Sequence, residues 1–332
     1  MTSDDPWQPW QPNQPYKLPD HYSHSSLETY GQCPRKFELS RLQGWRSKRT
    51  ARSLSYGSAW HEGLAIWYRT SLLTEEELRE HLVKLATTAG TSTDIISKLT
   101  KQQIREEITI LVACAALPDL LDSEANDHRT YKLLEEQLRC YAKVYSYEPW
   151  KVRQVEADFA FDLPGGIPIY GRCDLIIDWK DKVLPVEHKT TSSIYNYGEN
   201  FNVNQQVDIE LLGLQSLIES ASDTMMVNAV FVSTRKAGSK AEDFQRYPDI
   251  TRSPTQLQEA VVNMAIEVDD IKSDLARGYF PMKKSSCNSY GGCPYRRVCE
   301  VAPEERHLIL DAFYEQTPPH NINKKTKLPW ED

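Results

Sequence analysis

Apolar positions along this chain follow two periods, one helical and one of strands, and they divide it into regions. Residues 62 to about 148 keep the helical period. Thr74-Glu75-Glu76-Glu77 has the form of a capping box ahead of Leu78, Leu82 and Leu85. Ile104, Ile108 and Leu111 continue the period, and a third helix is predicted near Arg129 to Tyr147 with Leu133, Leu134 and Leu138 inward. Val152 to Leu163 alternates as a strand does and stops at Pro164-Gly165-Gly166. From Tyr170 to Thr191 two apolar strands are joined by the polar turn Lys180-Asp181-Lys182. A helix from Asn204 to about Glu219 and a strand from Met225 to Thr234 follow. Thr255 to Ala276 is predicted as a long amphipathic helix, with a Thr255-x-x-Gln258 box at its start and Gly278 just past its end. Near the beginning, Leu27 and Tyr30 stand at helical spacing behind a serine cluster that can cap.

The two ends have no such pattern. Trp7-Gln8-Pro9-Trp10-Gln11-Pro12 is too rich in proline for helix or sheet, so residues 1–22 are read as an extended or disordered tail. Residues 317–332 form a polar tail.

Composition narrows the class. A chain of 332 residues allows one large domain or two small ones. Its 40% hydrophobic and 26% charged residues are ordinary for a soluble globular protein. The net charge of -8 speaks against a non-specific coat for nucleic acid but leaves room for a local basic groove. Met1-Thr2-Ser3-Asp4-Asp5 lacks a basic n-region, and the apolar run from Ile110 to Leu117 is too short to span a bilayer. A cytoplasmic protein with no membrane partner is expected. Seven cysteines, an odd number, argue against a disulfide framework. Cys114, Cys140 and Cys173 sit in apolar or helical contexts and are read as packing residues.

Three clusters carry chemistry. In a strand, side chains at i and i+2 share a face, so Glu187 and Lys189 project together, and a hairpin brings Asp174 beside them. Burying such charges between Leu175-Ile176-Ile177 and Val183-Leu184-Pro185-Val186 is costly without a partner, and a divalent cation is the natural one. A solvated surface ion pair is the bland reading, and the apolar flanks argue against it. The second cluster is a basic run, Arg35, Lys36, Arg41, Arg46, Lys48, Arg49 and Arg52, broken by Glu38 and interleaved with Phe37 and Trp45. It can neutralise phosphates and stack bases, or it can be a solvated helix face. The third is Cys287, Cys293 and Cys299, at five-residue gaps in a Gly- and Pro-containing stretch that reads as neither helix nor core. Cys33, before Pro34, supplies a fourth thiolate from the other end. Four thiolates hold a [4Fe–4S] cluster or zinc, and zinc favours two close pairs, which this layout lacks.

Asp174, a hairpin and Glu187-His188-Lys189 resemble the core of the PD-(D/E)XK nucleases. Ser23, Ser25, Leu27, Tyr30, Cys33 and Pro34 resemble the opening Ser-x-Ser-x-Leu-x-x-Tyr-x-x-Cys-Pro of RecB-type nucleases with an iron–sulfur cluster. Gly57 followed by His61, placed at the start of a helix, resembles the first motif of the RecB-like families, and Glu156 stands where they often carry a glutamate. Gln206 fits the glutamine of their Gln-x-x-x-Tyr motif, but Glu210 stands where tyrosine is expected; Gln205, followed by Ile209, is the other candidate. The one-plus-three cysteine layout resembles AddB and the CRISPR-associated RecB-like exonucleases.

The resemblance implies an α/β fold, with a central mixed sheet flanked by helices. It implies one nuclease domain over 23–316, with a helical insertion at about 62–148, a core at about 150–235, and a helix and cysteine region at about 255–300 joining the N- and C-terminal parts. It implies a metal-dependent DNA exonuclease acting on single strands or ends, in recombination, repair or CRISPR-like processing, in a bacterial or phage-infected cell. No Gly-x4-Gly-Lys-Ser/Thr loop occurs, so a helicase or recombination partner would be a separate protein. His61, Asp174 and Glu187 would hold Mg²⁺ or Mn²⁺, with a carbonyl near His188 helping. Lys189 would orient water and offset charge, and Gln206 would position the lysine or the phosphate. Arg35, Lys36, Arg46, Lys48 and Arg49 would bind DNA, and Cys33, Cys287, Cys293 and Cys299 would hold the [4Fe–4S] cluster. The alternative is a DNA-binding or assembly protein on a nuclease fold, with zinc at the cysteines.

Overall fold

The computed structural model describes residues 16–48, 51–90, 92–116, 129–193, 195–232, 238–289 and 292–317. The Trp-Gln-Pro stretch, Arg49 and residues 318–332 lie outside them. In chain order the elements are α1 (His24–Gln32), α2 (Pro34–Phe37), a π-turn over Glu38–Leu42, β1 (Trp45–Ser47), α3 (Arg52–Ser71), α4 (Glu75–Thr88), α5 (Lys101–Ala115) and α6 (Tyr131–Val144). Then come β2 (Lys151–Leu163), β3 (Ile167–Trp179), β4 (Lys182–Thr191), α7 (Gln205–Leu217), β5 (Thr224–Phe231), β6 (Phe244–Thr251), α8 (Pro254–Arg277), α9 (Arg296–Glu300), α10 (Arg306–Phe313) and β7 (Tyr314–Gln316). None of the described helices is long and apolar enough to cross a membrane.

The described residues group into two compact units. Ala51–Phe159 and Gly171–Leu257 form one; the segment before Arg49, Ala160–Tyr170 and the segment from Gln258 on form the other. Most of a five-stranded mixed sheet of order β2-β3-β4-β5-β6 lies in the first unit. β3 and β4 are antiparallel, β4 and β5 parallel, β5 and β6 antiparallel. The β3–β4 turn is tight: Trp179 faces Lys182, and Lys180 and Asp181 both take positive φ, at 50° and 61°. Two such residues give a turn whose twist matches the strands. That fixes the register, with Leu175 opposite Val186 and Ile177 opposite Leu184. These four enter the main core with Tyr56, Trp60 and Trp67 of α3 and Leu134 and Leu138 of α6. Helices α4 and α5 pack Leu78, Leu82, Ile104 and Ile108 around Ile66 of α3. Val207 and Leu211 of α7 pack with Met225 and Val227 of β5.

Helix α7 comes close to the sheet because two glycines flank one ring. A Cβ added at Gly213 of α7 would stand 2.4 Å from Phe159 of β2, and one at Gly171 of β3 would stand 2.2 Å from it. The ring is buried and cannot swing away. Gly213→Ala therefore overpacks this contact, and we expect it to destabilise by about 1–3 kcal/mol. The measurement is the urea midpoint; an unchanged midpoint would mean that α7 has slack against the sheet.

The second unit contains a two-stranded ladder, β1 with β7, in the register Trp45 opposite Gln316 and Ser47 opposite Tyr314. Leu39, Tyr295, Val298, Leu310 and Tyr314 form its small core. The tail read as reaching residue 22 is ordered before that point. The N–H of Tyr22 donates to the Pro168 carbonyl (2.9 Å), and Tyr16 donates its hydroxyl to Glu38 (2.7 Å).

Several boundaries differ from the pattern reading. Helix α3 starts at Arg52, not near residue 62, so His61 lies well inside it rather than at its start. Leu111 is exposed at 41% while Val112 is buried, because the inward face of α5 is set by its packing on α3 and α4. The long helix is capped at Ser253 and Gln256, whose side chains each accept the other's backbone N–H (3.3 and 2.8 Å). Pro254 explains this, since its fixed φ suits the first helical position. Strand β6 has no counterpart in the pattern reading; it carries Pro248 and mostly half-exposed side chains, as an edge strand does.

Candidate active site

The hairpin places the predicted charges together. Glu187 and Lys189 leave β4 on one face, and the Lys189 Nζ lies 2.6 Å from Glu187 Oε1. Gln206, in the first turn of α7, accepts a second Nζ hydrogen bond at its Oε1 (2.8 Å). Asn204 sets that first turn by accepting the Gln206 N–H at its side chain (2.8 Å). Asp174 Oδ2 accepts the backbone N–H of His188 (2.9 Å) and lies 3.1 Å from Nδ1 of His61. Thus α3, β3, β4 and α7 each give a side chain to one point. The glutamine in contact with Lys189 is Gln206.

The charges offset one another. Burial works against ionised Asp174, yet His61 and the His188 N–H hold its carboxyl below the usual range. Burial disfavours protonated His61, but the Asp174 carboxylate raises its pKa above the ordinary value. Lys189 loses by burial and gains more from Glu187, so it stays an ammonium. The His188 ring is different. Burial, with His61 nearby, lowers its pKa to about 3, so it is neutral. It stacks on Tyr68 of α3, with centroids 5.6 Å apart, and pairs with Asn228 at 3.0 Å. Asn228 continues to Tyr141 (2.8 Å), Tyr141 to Tyr68 (2.6 Å), and Tyr68 to Glu148 (2.9 Å), which Arg246 holds in turn (2.8 Å). This buried network braces β4 beside the charges.

Among the described residues, no group of three or more His, Cys, Asp or Glu side chains is arranged to hold a metal ion. The two carboxylates instead face Nδ1 of His61 and the Lys189 ammonium. Their oxygens and the His61 imidazole are nonetheless a donor set that hard divalent cations accept.

The model of the PD-(D/E)XK nuclease superfamily matches residues 21–300. The chain belongs to the PD-(D/E)XK nuclease superfamily. No curated protein matches. Among solved structures, the "Putative exonuclease" of Eubacterium rectale is 11% identical, covering 85% of this chain and 89% of that chain, with a TM-score of 0.46. SSO0001 is 14% identical, covering 45% of this chain, with a TM-score of 0.29. The chain spans 59% of the length of SSO0001.

Not every cation of the basic run faces solvent. Arg35 is buried and paired with Glu38 at 2.7 Å, so it is no surface cation; its i,i+3 spacing to Glu38 in a helical turn is the signal that the sequence carries. Lys36 donates to Gln32 (2.7 Å). Arg46 is exposed on β1, and Lys48 is exposed with its Nζ on the Asp311 and Ala312 carbonyls at the end of α10 (3.0 and 3.2 Å). The four cysteines of the third cluster all fall in one unit. Cys33 joins α1 to α2 and accepts the Lys283 N–H at its sulfur (3.3 Å). The Cys293 N–H donates to the Cys287 carbonyl (2.9 Å). Burial pushes the Cys293 thiol up and the Cys299 thiol up to about 11, and Cys33 is among the groups acting on both.

One residue that departs from the family pattern belongs to the site. Glu210 is buried and receives Gln206 Nε2 at its Oε1 (2.7 Å), while its Oε2 meets no partner among the described residues. Burial first, then Glu187 and Asp174, push its carboxyl well above the usual range.

Proposed function

We propose that this nuclease is a divalent-metal-dependent deoxyribonuclease that cleaves single strands or ends of DNA. The observation that carries the reading is the Lys189 ammonium, held between Glu187 and Gln206 beside Asp174. Asp174, Glu187 and His61, with the backbone carbonyl of His188, are the groups that would hold Mg²⁺ or Mn²⁺. When bound, the metal supplies Lewis acidity toward the phosphate and toward water. Lys189 has three N–H donors; Glu187 and Gln206 take two, which leaves one for a phosphate oxygen or the attacking water. An ammonium so fixed meets developing negative charge without first having to reorganise. The His188 ring, neutral and braced, adds no charge of its own.

We also propose that the four cysteines hold a [4Fe–4S] cluster, with zinc as the competing occupant. Four thiols from one unit are donors of the right kind for such a group, and one of them accepts a backbone N–H, but among the described residues they do not stand together as a ready metal site.

The direct test is incubation of the purified protein with end-labelled single- and double-stranded DNA, with Mn²⁺ or with a chelator. Cleavage in Mn²⁺ that the chelator stops is the expected result. Absence of cleavage in Mn²⁺ and Mg²⁺, or cleavage indifferent to the chelator, would overturn the reading.

Arg46 and Lys48 are exposed cations of the basic run, and we assign them to DNA phosphates. The double variant Arg46→Ala, Lys48→Ala should weaken binding of every sequence alike. The slope of log affinity against log salt should fall by about one for each phosphate no longer held. An unchanged slope would return both residues to a solvated surface.

A further inference from the structure

Glu210 has no role in the mechanism above, yet it sits in its machinery with one oxygen used and the other unpartnered among the described residues. Residues 206 and 210 are one helical turn apart, so their side chains meet on the same face of α7. The amide of Gln206 links Glu210 to Lys189 in a run of three bonds. Glu210 Oε1 takes the amide nitrogen (2.7 Å), the amide oxygen takes the Lys189 Nζ (2.8 Å), and that Nζ reaches Glu187 (2.6 Å).

The two ends of a glutamine amide are alike in shape and opposite in function: the oxygen accepts, the nitrogen only donates. If the amide turned over, its N–H groups would face the ammonium, donor against donor, and Lys189 would lose one of its two anchors. Nothing in Gln206 itself prevents this. The Lys189 ammonium, which only donates, opposes it from one side, and the Glu210 oxygen that accepts the amide N–H opposes it from the other. That oxygen is placed by a buried stretch of α7, flanked by Ile209 and Leu211, and so has little freedom.

We infer that Glu210 is a positioning residue, which fixes the Gln206 amide so that its oxygen rather than its nitrogen meets Lys189. The inference rests on the reading of Lys189 as the reactive ammonium. It gives a physical role to the glutamate that stands where the family resemblance leads one to expect tyrosine.

The test is a double-mutant cycle in Mn²⁺-dependent cleavage, with melting temperature as the fold check and calorimetric Mn²⁺ binding as a second readout. Glu210→Leu keeps the volume and removes the acceptor. Its kcat should fall by about 100-fold, the scale of a displaced catalytic group, with KM and Mn²⁺ affinity unchanged. Glu210→Gln, whose amide oxygen can take the same N–H, should recover most of that loss. In a Gln206→Ala background, Glu210→Leu should cost nothing further, because its effect passes through the amide. If Glu210→Leu lowers the melting temperature, Glu210→Met against Glu210→Gln makes the same comparison at near-equal size. Wild-type kcat in the variants without an acceptor would overturn the inference, as would losses that add in the Gln206→Ala background. Equal impairment of Glu210→Gln and Glu210→Leu with weakened Mn²⁺ binding would overturn it too, by making Glu210 a metal ligand. Lys189→Ala separates the two levels: full activity there sinks the underlying reading, whereas an inactive Lys189→Ala beside a fully active Glu210→Leu sinks only the role of Glu210.

Discussion

Asp174→Asn and Glu187→Gln should each lose metal-dependent cleavage by on the order of 10³-fold while still binding DNA. The charge of a metal at such a site contributes several kcal/mol to the transition state, and about 1.4 kcal/mol is a decade in rate. Both substitutions keep the shape of the side chain and remove one negative charge. In Asp174→Asn the new amide oxygen still has the His188 N–H within reach, since it accepts as a carboxylate does. What that variant gives up is the carboxylate charge that faces His61 Nδ1 at 3.1 Å. In Glu187→Gln the Lys189 ammonium keeps Gln206 but no longer faces the Glu187 carboxylate. Some destabilisation is therefore expected in Glu187→Gln, because a half-buried ammonium is left short of counter-charge. Melting curves and Mn²⁺ titrations separate that effect from the chemistry. Lys189→Ala should differ in kind: cleavage falls, but Mn²⁺ still binds, because no metal donor has been removed. DNA affinity should be kept in all three, since Arg46 and Lys48 lie elsewhere on the chain. Wild-type cleavage rates in either carboxylate variant would sink the assignment.

The hairpin is legible because its information is local. Strand alternation puts Glu187 and Lys189 on one face, and the polar turn fixes how the strands return, so the 2.6 Å pair follows from a short stretch of chain. The choice between Gln205 and Gln206 is not legible. It depends on where α7 begins, and Asn204 capping the Gln206 N–H decides that. Arg35 shows the limit of a charge run: composition cannot say which cation turns inward, and an ion pair with Glu38 takes this one out of the surface. Strand β6 escapes a pattern reading because an edge strand buries little and tolerates Pro248, so its alternation is faint. The network from His188 through Asn228, Tyr141 and Tyr68 to Glu148 is out of reach for another reason. Its members come from α3, α6, β4 and β5 and the segment after α6, and no spacing along the chain relates them. Glu210 is visible in the sequence, but a family pattern makes it look like a mismatch rather than a partner.

The four cysteines give the prediction with the largest effect on stability. Cys33 and Cys299 belong to one unit, yet nearly the whole of the other unit lies between them in sequence. A group that binds Cys33 together with Cys287, Cys293 and Cys299 closes a loop containing most of the chain. By analogy with a disulfide, closing so long a loop constrains the unfolded chain by on the order of a few kcal/mol. The role is structural first, since the hairpin that carries Asp174 and Glu187 uses none of these thiols. Anaerobically purified protein should be brown and contain iron. Cys299→Ser should lose both colour and iron, and its melting temperature should fall by roughly 10 °C, at about 2–4 °C per kcal/mol for a domain of this size. Activity should fall only as far as folding does, so that the surviving folded fraction cleaves at the wild-type rate. Cys173→Ala is the control: that thiol is buried beside Asp174, in the unit that holds most of the sheet, and its removal should leave colour and iron intact. Stoichiometric zinc without iron in the anaerobic preparation would overturn the cluster while keeping the ligands. Loss of colour in Cys173→Ala but not in Cys33→Ser would overturn the ligands themselves.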